Sequence, residues 1–186
     1  MRIAYVLFDG VTLLDFVGVY DPVSRLRTLG YLPNLHWDLC GVQPSIRDSF
    51  GLEITTDRAG ESLAGYDLVF VPGGLGTRTL RHDAAFVNWL KTAEPVPRKV
   101  SVCTGALLLG AAGFLVKRRA TTHFNEYATL APYCREVVRE RIVDDGGVIT
   151  AGAVASSLDL GLHLVGLLGG EVAVEPVKRG MDYLND

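Results

Sequence analysis

Short apolar runs alternate along this chain with longer segments of helical spacing. Residues 2–8 form an apolar run of the kind a strand shows when both of its faces are covered. Residues 13–29 follow with helical periodicity. Pro22 inside them predicts a kink or a restart, because proline lacks an amide donor and crowds the preceding turn. Strands are expected at 36–42 and 67–71, the second running into Pro72-Gly73-Gly74, and 46–55 reads as irregular or as a hairpin. A helix is expected over 83–93 with Asp83 near its start, ended by Glu94-Pro95-Val96-Pro97. A strand at 99–103 leads directly into a helix over 104–112 that Gly113 ends. A short strand at 120–122 and a short helix at 125–130 come next. Two β runs, 137–143 and 148–150, then flank the hairpin turn Asp144-Asp145-Gly146-Gly147. Residues 153–168 read as helix, and so does the tail from 172 to 184, broken near Pro176.

This alternation implies an α/β fold with a mostly parallel sheet between helical layers. No repeat or linker interrupts it. A chain of 186 residues is expected to form a single domain over 1–186, long enough to bury a full core. In open α/β sheets, ligands bind beyond the carboxyl ends of the strands. That rule selects Asp9-Gly10, Gly73-Gly74, Cys103-Thr104 and His123.

Composition narrows the partners. A chain that is 48% hydrophobic and 21% charged is not disordered. A net charge of −3 leaves no basic surplus for phosphate backbones, so no nucleic-acid partner is expected. Three widely spaced cysteines form neither a disulfide framework nor a zinc pattern, which suggests a reducing, cytoplasmic compartment. The apolar start lacks a cleavage site, and the longest uncharged run, 100–116, falls short of the ~20 residues that cross a bilayer. No membrane association is therefore expected. Gly74 and Gly76 are followed by Thr79 where a dinucleotide fingerprint needs glycine, so no cofactor and no metal are expected.

Cys103 carries the strongest chemical signal. It sits where a strand turns into a helix, the geometry of a nucleophile elbow. Free amides at the helix start favour thiolate, and such sites bring a cysteine to a pKa of roughly 3.5–7.5. The alternative is a small buried core cysteine. Cys40 and Cys134 read as structural. Gly73 and Gly74 follow a strand and suit an oxyanion hole, or a plain tight turn. His123 ends another strand and suits a partner for an activated thiol, or simple polar packing. Asp15, between Leu14 and Phe16, is a carboxylate whose burial would raise its pKa and let it donate a proton; it also suits a helix N-terminus.

Four blocks together resemble the ThiJ/PfpI family, a branch of the class I glutamine-amidotransferase-like proteins. They are 8–15 (Phe-Asp-Gly-Val-Thr-Leu-Leu-Asp), 71–78 (Val-Pro-Gly-Gly-Leu-Gly-Thr-Arg), 101–106 (Ser-Val-Cys-Thr-Gly-Ala) and 118–123 (Arg-Arg-Ala-Thr-Thr-His). They run in the family's order, cover nearly the whole chain, and within the family resemble most the isonitrile hydratases. The resemblance implies a flavodoxin-like three-layer sandwich. It implies that Cys103 is the elbow cysteine, Asp15 the acid that hydrogen-bonds its sulfur, and Thr104 a threonine typical of the hydratase branch. Gly73, Gly74 and the Thr104 amide match the family's oxyanion positions, and His123 matches a supporting histidine.

The activity implied is addition of water to an isonitrile to give an N-substituted formamide, the work of a carbon–oxygen lyase. The partners implied are a small-molecule substrate and a second copy of the chain in a homodimer. Some family members carry an AraC-type helix-turn-helix after this domain. This chain ends at Asp186, so a DNA-binding regulator is not expected. Other readings stay open: a cysteine-based redox or stress-response protein, another small-molecule hydrolase of deglycase or glyoxalase type, and a non-catalytic ligand-binding module. Asp15 is one methylene shorter than the glutamate of many relatives, which disfavours activities that depend on glutamate geometry.

Overall fold

The β runs become the strands of one central sheet and of two small two-stranded sheets. In the computed structural model, which describes residues 1–183, these are β1 (Arg2–Val6), β2 (His36–Gly41), the hairpin pair β3 (Ser45–Arg47) and β4 (Glu53–Thr55), β5 (Arg58–Ala59), β6 (Leu68–Val71), β7 (Arg98–Val102), β8 (Arg119–Ala120), β9 (Glu136–Val137), β10 (Ile142–Asp144) and β11 (Val148–Ala151). Helices between them are α1 (Leu13–Thr28), α2 (Thr77–Leu80), α3 (Ala84–Lys91), α4 (Gly105–Ala111), α5 (Tyr127–Leu130), α6 (Ser156–Gly169) and α7 (Val174–Gly180). The small sheets pair β3 with β4 and β8 with β9, and the central sheet has the order β10-β11-β7-β6-β1-β2-β5. Every pairing in the central sheet is parallel except β10 with β11. Helices flank this sheet, the flavodoxin-like α/β arrangement expected from the sequence. Strands β6 and β11 are buried at every position, as parallel strands covered on both faces must be.

Tyr5 of β1 anchors the core. Its ring meets Phe16 and Tyr20 of α1 edge-on at 5.4 and 5.6 Å, and Phe70 of β6 at 5.9 Å. Asp83 caps α3 by accepting from the amides of Ala85 and Phe86, as its position predicts.

Pro22 departs from expectation. It lies inside a continuous α1 rather than breaking it. The carbonyl that loses its helical partner is that of Gly18, four residues earlier. That turn packs against Gly161 of α6, and contact with α6 holds the helix together. The run 137–143 also splits. Its first residues pair parallel with β8 and its last pair antiparallel with β11, leaving Arg139 and Glu140 exposed between them. Strand β5 and helix α2 were not expected. Among the described residues the last helix is α7, which runs unbroken through Pro176 in its first turn and ends at Gly180, short of the expected 184; residue 184 itself lies outside the described residues.

Candidate active site

The chain turns sharply between β7 and α4. Cys103 occupies that turn with a φ of 54°, a left-handed conformation that costs a non-glycine residue on the order of 1–3 kcal/mol. The surroundings over-determine it. Its amide donates to the carbonyls of Ala151 and Gly152 at 3.0 and 2.8 Å, and its carbonyl accepts from the Thr122 hydroxyl at 2.8 Å. The backbone is tied from both sides, and the sulfur stands at the carboxyl end of the sheet.

Asp15 reaches the same point from the first turn of α1. Its path is set by the loop after β1. The Gly10 amide donates to Arg47 of the hairpin at 2.8 Å, and the Thr12 amide donates to Gly73 at 2.9 Å. Asp15 is fully buried, and its Oδ2 accepts the Gly73 amide at 2.9 Å. Only glycine fits at 73. A Cβ there would lie 2.7 Å from Asp15 Oδ2 and the Thr104 nitrogen, and 2.8 Å from Cys103 Cβ. The other oxygen, Oδ1, is buried without a hydrogen-bond partner among the described residues, and Asp15 and Cys103 shift each other's protonation.

Thr104 completes the group. Its hydroxyl accepts the Gly74 amide at 3.0 Å and lies 3.2 Å from the Gly74 carbonyl. Both glycines expected at the oxyanion positions have their amides engaged in this structure. The Gly73 amide is engaged by Asp15 and the Gly74 amide by Thr104, so these two donors position side chains.

Burial decides the protonation of the pair. It raises the Asp15 carboxyl to about 6, against partial relief from the Gly73 amide and the thiol. Burial, reinforced by the Asp15 charge, pushes the Cys103 thiol up to about 12, although the Thr104 amide and hydroxyl favour thiolate. The elbow was expected to yield a low-pKa thiol. In the folded chain, desolvation and the neighbouring carboxylate outweigh the amides, and the pair keeps a proton at neutral pH.

The cleft over Cys103 has a volume of about 160 Å³ and is lined by Thr12, Gly74, Leu75, Arg78, Thr104, His123 and Val154. His123 therefore shares the cleft, but its Nδ1 accepts the Asn125 amide at 3.2 Å and no hydrogen bond joins it to Cys103 among the described residues. Sequence reading missed Arg78, Leu75 and Val154 as lining residues. Arg78 sits on the unforeseen α2 and donates to Glu126 at 3.0 Å. The other cysteines lie apart: Cys40 contacts the Tyr66 hydroxyl at 3.4 Å, and Cys134 the Leu130 carbonyl at 3.7 Å. Among the described residues no group of three or more His, Cys, Asp and Glu side chains is arranged to hold a metal, and no helix is long and apolar enough to cross a membrane.

Known proteins resemble this chain in sequence and fold. The sequence model of the DJ-1/PfpI family matches residues 1–167. An isonitrile hydratase of Pseudomonas putida is 33% identical over 185 residues, 98% of this chain and 78% of that protein. The crystal structure of a ThiJ/PfpI family protein from Pseudomonas syringae superposes with a TM-score of 0.90 at 28% identity, covering 100% of this chain and 76% of that one. The HTH-type transcriptional regulator GbdR of Pseudomonas aeruginosa is 26% identical over 169 residues, 88% of this chain but 46% of the regulator.

Proposed function

The chain belongs to the DJ-1/PfpI family, and from that membership and the Asp15–Cys103 pair we propose that it is an isonitrile hydratase-like lyase, adding water to R–N≡C to give an N-substituted formamide. The observation that carries this reading is a fully buried carboxyl, raised to about 6, beside an elbow thiol. The terminal carbon of an isonitrile bears a lone pair. It must gain a proton as it accepts a nucleophile, so acid and nucleophile have to meet at one atom. The similarity to the hydratase of Pseudomonas putida supports the same assignment.

The pair enters the reaction with one shared proton. Asp15 passes that proton to the terminal carbon while the Cys103 sulfur bonds to it. The product is a thioimidate, Cys103–S–CH=N–R, and Asp15 is left as carboxylate. Asp15 then takes a proton from water as the oxygen attacks the thioimidate carbon, and delivers it to nitrogen. The tetrahedral adduct collapses: the C–S bond breaks, C=O forms, and the hydroxyl proton returns to the pair. Proton transfer of this kind contributes typically ~10²–10⁴ in rate. Thr104, held by Gly74, orients the sulfur and the attacking water. The addition puts no negative charge on an oxygen, which suits a site whose Gly73 and Gly74 amides are already engaged. Hydration is redox-neutral and balances without an electron carrier, so the proposal includes no cofactor.

The reading extends to a single-domain protein over 1–186 that works as a homodimer. Its three free cysteines fit a reducing cytoplasm. Intact-mass measurement tests the covalent step. Wild-type protein quenched during turnover at pH 5 gains the mass of one isonitrile at Cys103; a sulfur that stays unmodified while formamide accumulates refutes nucleophilic attack.

A further inference from the structure

These steps leave His123 unused. It lines the cleft with Cys103, Thr104 and Val154, and its ring stacks on Phe124 with centroids 4.3 Å apart at 27°. Its Nδ1 accepts the Asn125 amide at 3.2 Å and so closes the 3-10 turn Phe124–Glu126. A ring nitrogen that accepts from an amide carries no proton, so the neutral ring holds its single N–H at Nε2. The neutral ring thus offers one donor, Nε2–H, on a residue that lines the cleft over Cys103.

We infer that His123 is a catalytic hydrogen-bond donor, presenting Nε2–H to the nitrogen of the reacting group without giving its proton away. This rests on the hydratase reading. In a free isonitrile the nitrogen has no available lone pair; the pair sits on the terminal carbon. When carbon takes a proton and the sulfur attacks, the triple bond becomes C=N and an electron pair settles on nitrogen. When water adds, C=N becomes C–N and that nitrogen grows more basic, taking the proton Asp15 removed from water. A donor facing this nitrogen binds the substrate weakly and both transition states strongly, which is how a hydrogen bond accelerates a reaction. A donor whose own proton stays in place needs no reloading between the two steps.

Two substitutions separate this role from the capping role. His123→Asn keeps an oxygen close to the backbone to accept the Asn125 amide, but its amide group is too short to reach where Nε2 lies. His123→Gln places an amide N–H at about the reach of Nε2. With cyclohexyl isocyanide as substrate, His123→Asn is expected to lower kcat on the order of 10²-fold, the loss typical of one transition-state donor. Thioimidate then accumulates on Cys103 by intact mass. His123→Gln recovers most of that loss. His123→Asn keeps the wild-type denaturation midpoint, His123→Gln lowers it slightly as the Asn125 cap is lost, and both keep the wild-type pH profile at reduced height. Undiminished kcat in His123→Asn overturns the inference, and so does loss of a limb of the pH profile, which would make His123 a titrating base. Either result alongside normal wild-type turnover leaves the hydratase reading standing. A folded wild-type protein that forms no formamide overturns both.

Discussion

The Gly74 amide donates to the Thr104 hydroxyl at 3.0 Å, across thirty residues of sequence and beside the elbow sulfur. One glycine of a glycine-rich turn thereby fixes the residue that follows the elbow cysteine. The neighbouring glycine does the same for the buried carboxyl, since the Gly73 amide donates to Asp15 at 2.9 Å. The turn after β6 is a positioning device for two side chains that arrive from different elements.

Thr104→Val tests that device. Valine keeps the shape but leaves the Gly74 amide buried without a partner, which costs about 1–3 kcal/mol. Loss of stability of that size by urea denaturation, with kcat lowered by at least about tenfold, is expected. Thr104→Ser, which keeps the hydroxyl, should stay close to wild type in both.

Asp15→Asn is expected to stabilise the fold while removing activity. The folded-state value of about 6 lies above the ordinary 3.8. Between these values the folded chain binds more protons than the unfolded one, so stability falls as pH rises through that window. The shift corresponds to about 3 kcal/mol, lost once pH exceeds 6. The variant should therefore gain on wild type between pH 4.5 and pH 7.5 in paired denaturation curves. A stability difference that does not change with pH would show that Asp15 ionises as readily folded as unfolded.

The elbow is strained at one φ angle, and glycine relieves it. Cys103→Gly should be more stable than Cys103→Ala by about 1 kcal/mol, although it fills less of a buried site. Equal stabilities would mean that the turn relaxes when the side chain is cut back.

Gly18 of α1 faces Ser157 of α6, and a Cβ at 18 would collide with the Ser157 hydroxyl, which itself donates to the Leu14 carbonyl at 3.1 Å. Gly18→Ala should lower stability by about 1–3 kcal/mol despite the better helix propensity of alanine. Because α1 carries Asp15, kcat should fall as well. The double variant Gly18→Ala, Ser157→Gly should recover both.

Much of this architecture is legible in the chain. Runs such as 68–71, buried on both faces, leave a plain apolar signature, and the strand-to-helix change at Cys103 marks the elbow. Asp15 stands out as a carboxylate between two apolar residues. What escapes is set by distant partners. Pro22 stays helical because α6 packs over its turn, and the run 137–143 splits because β8 claims one end and β11 the other. Strand β5 and helix α2 are too short to show a period. The engagement of the Gly73 and Gly74 amides depends on side chains 58 and 30 residues away, which no local pattern reveals. The raised thiol has the same origin, since burial and the charge of Asp15 exist only in the assembled fold.

The central claim is that Asp15 and Cys103 together hydrate an isonitrile. Formamide release from cyclohexyl isocyanide by the wild-type chain, by Cys103→Ala and by Asp15→Asn, followed from pH 5 to pH 8, tests it most directly. The account predicts turnover by the wild type that both substitutions abolish. It also predicts a wild-type rate that rises through about pH 6, as the Asp15 carboxylate becomes available to activate water. Full turnover by Cys103→Ala, or none by a folded wild-type chain, would contradict it.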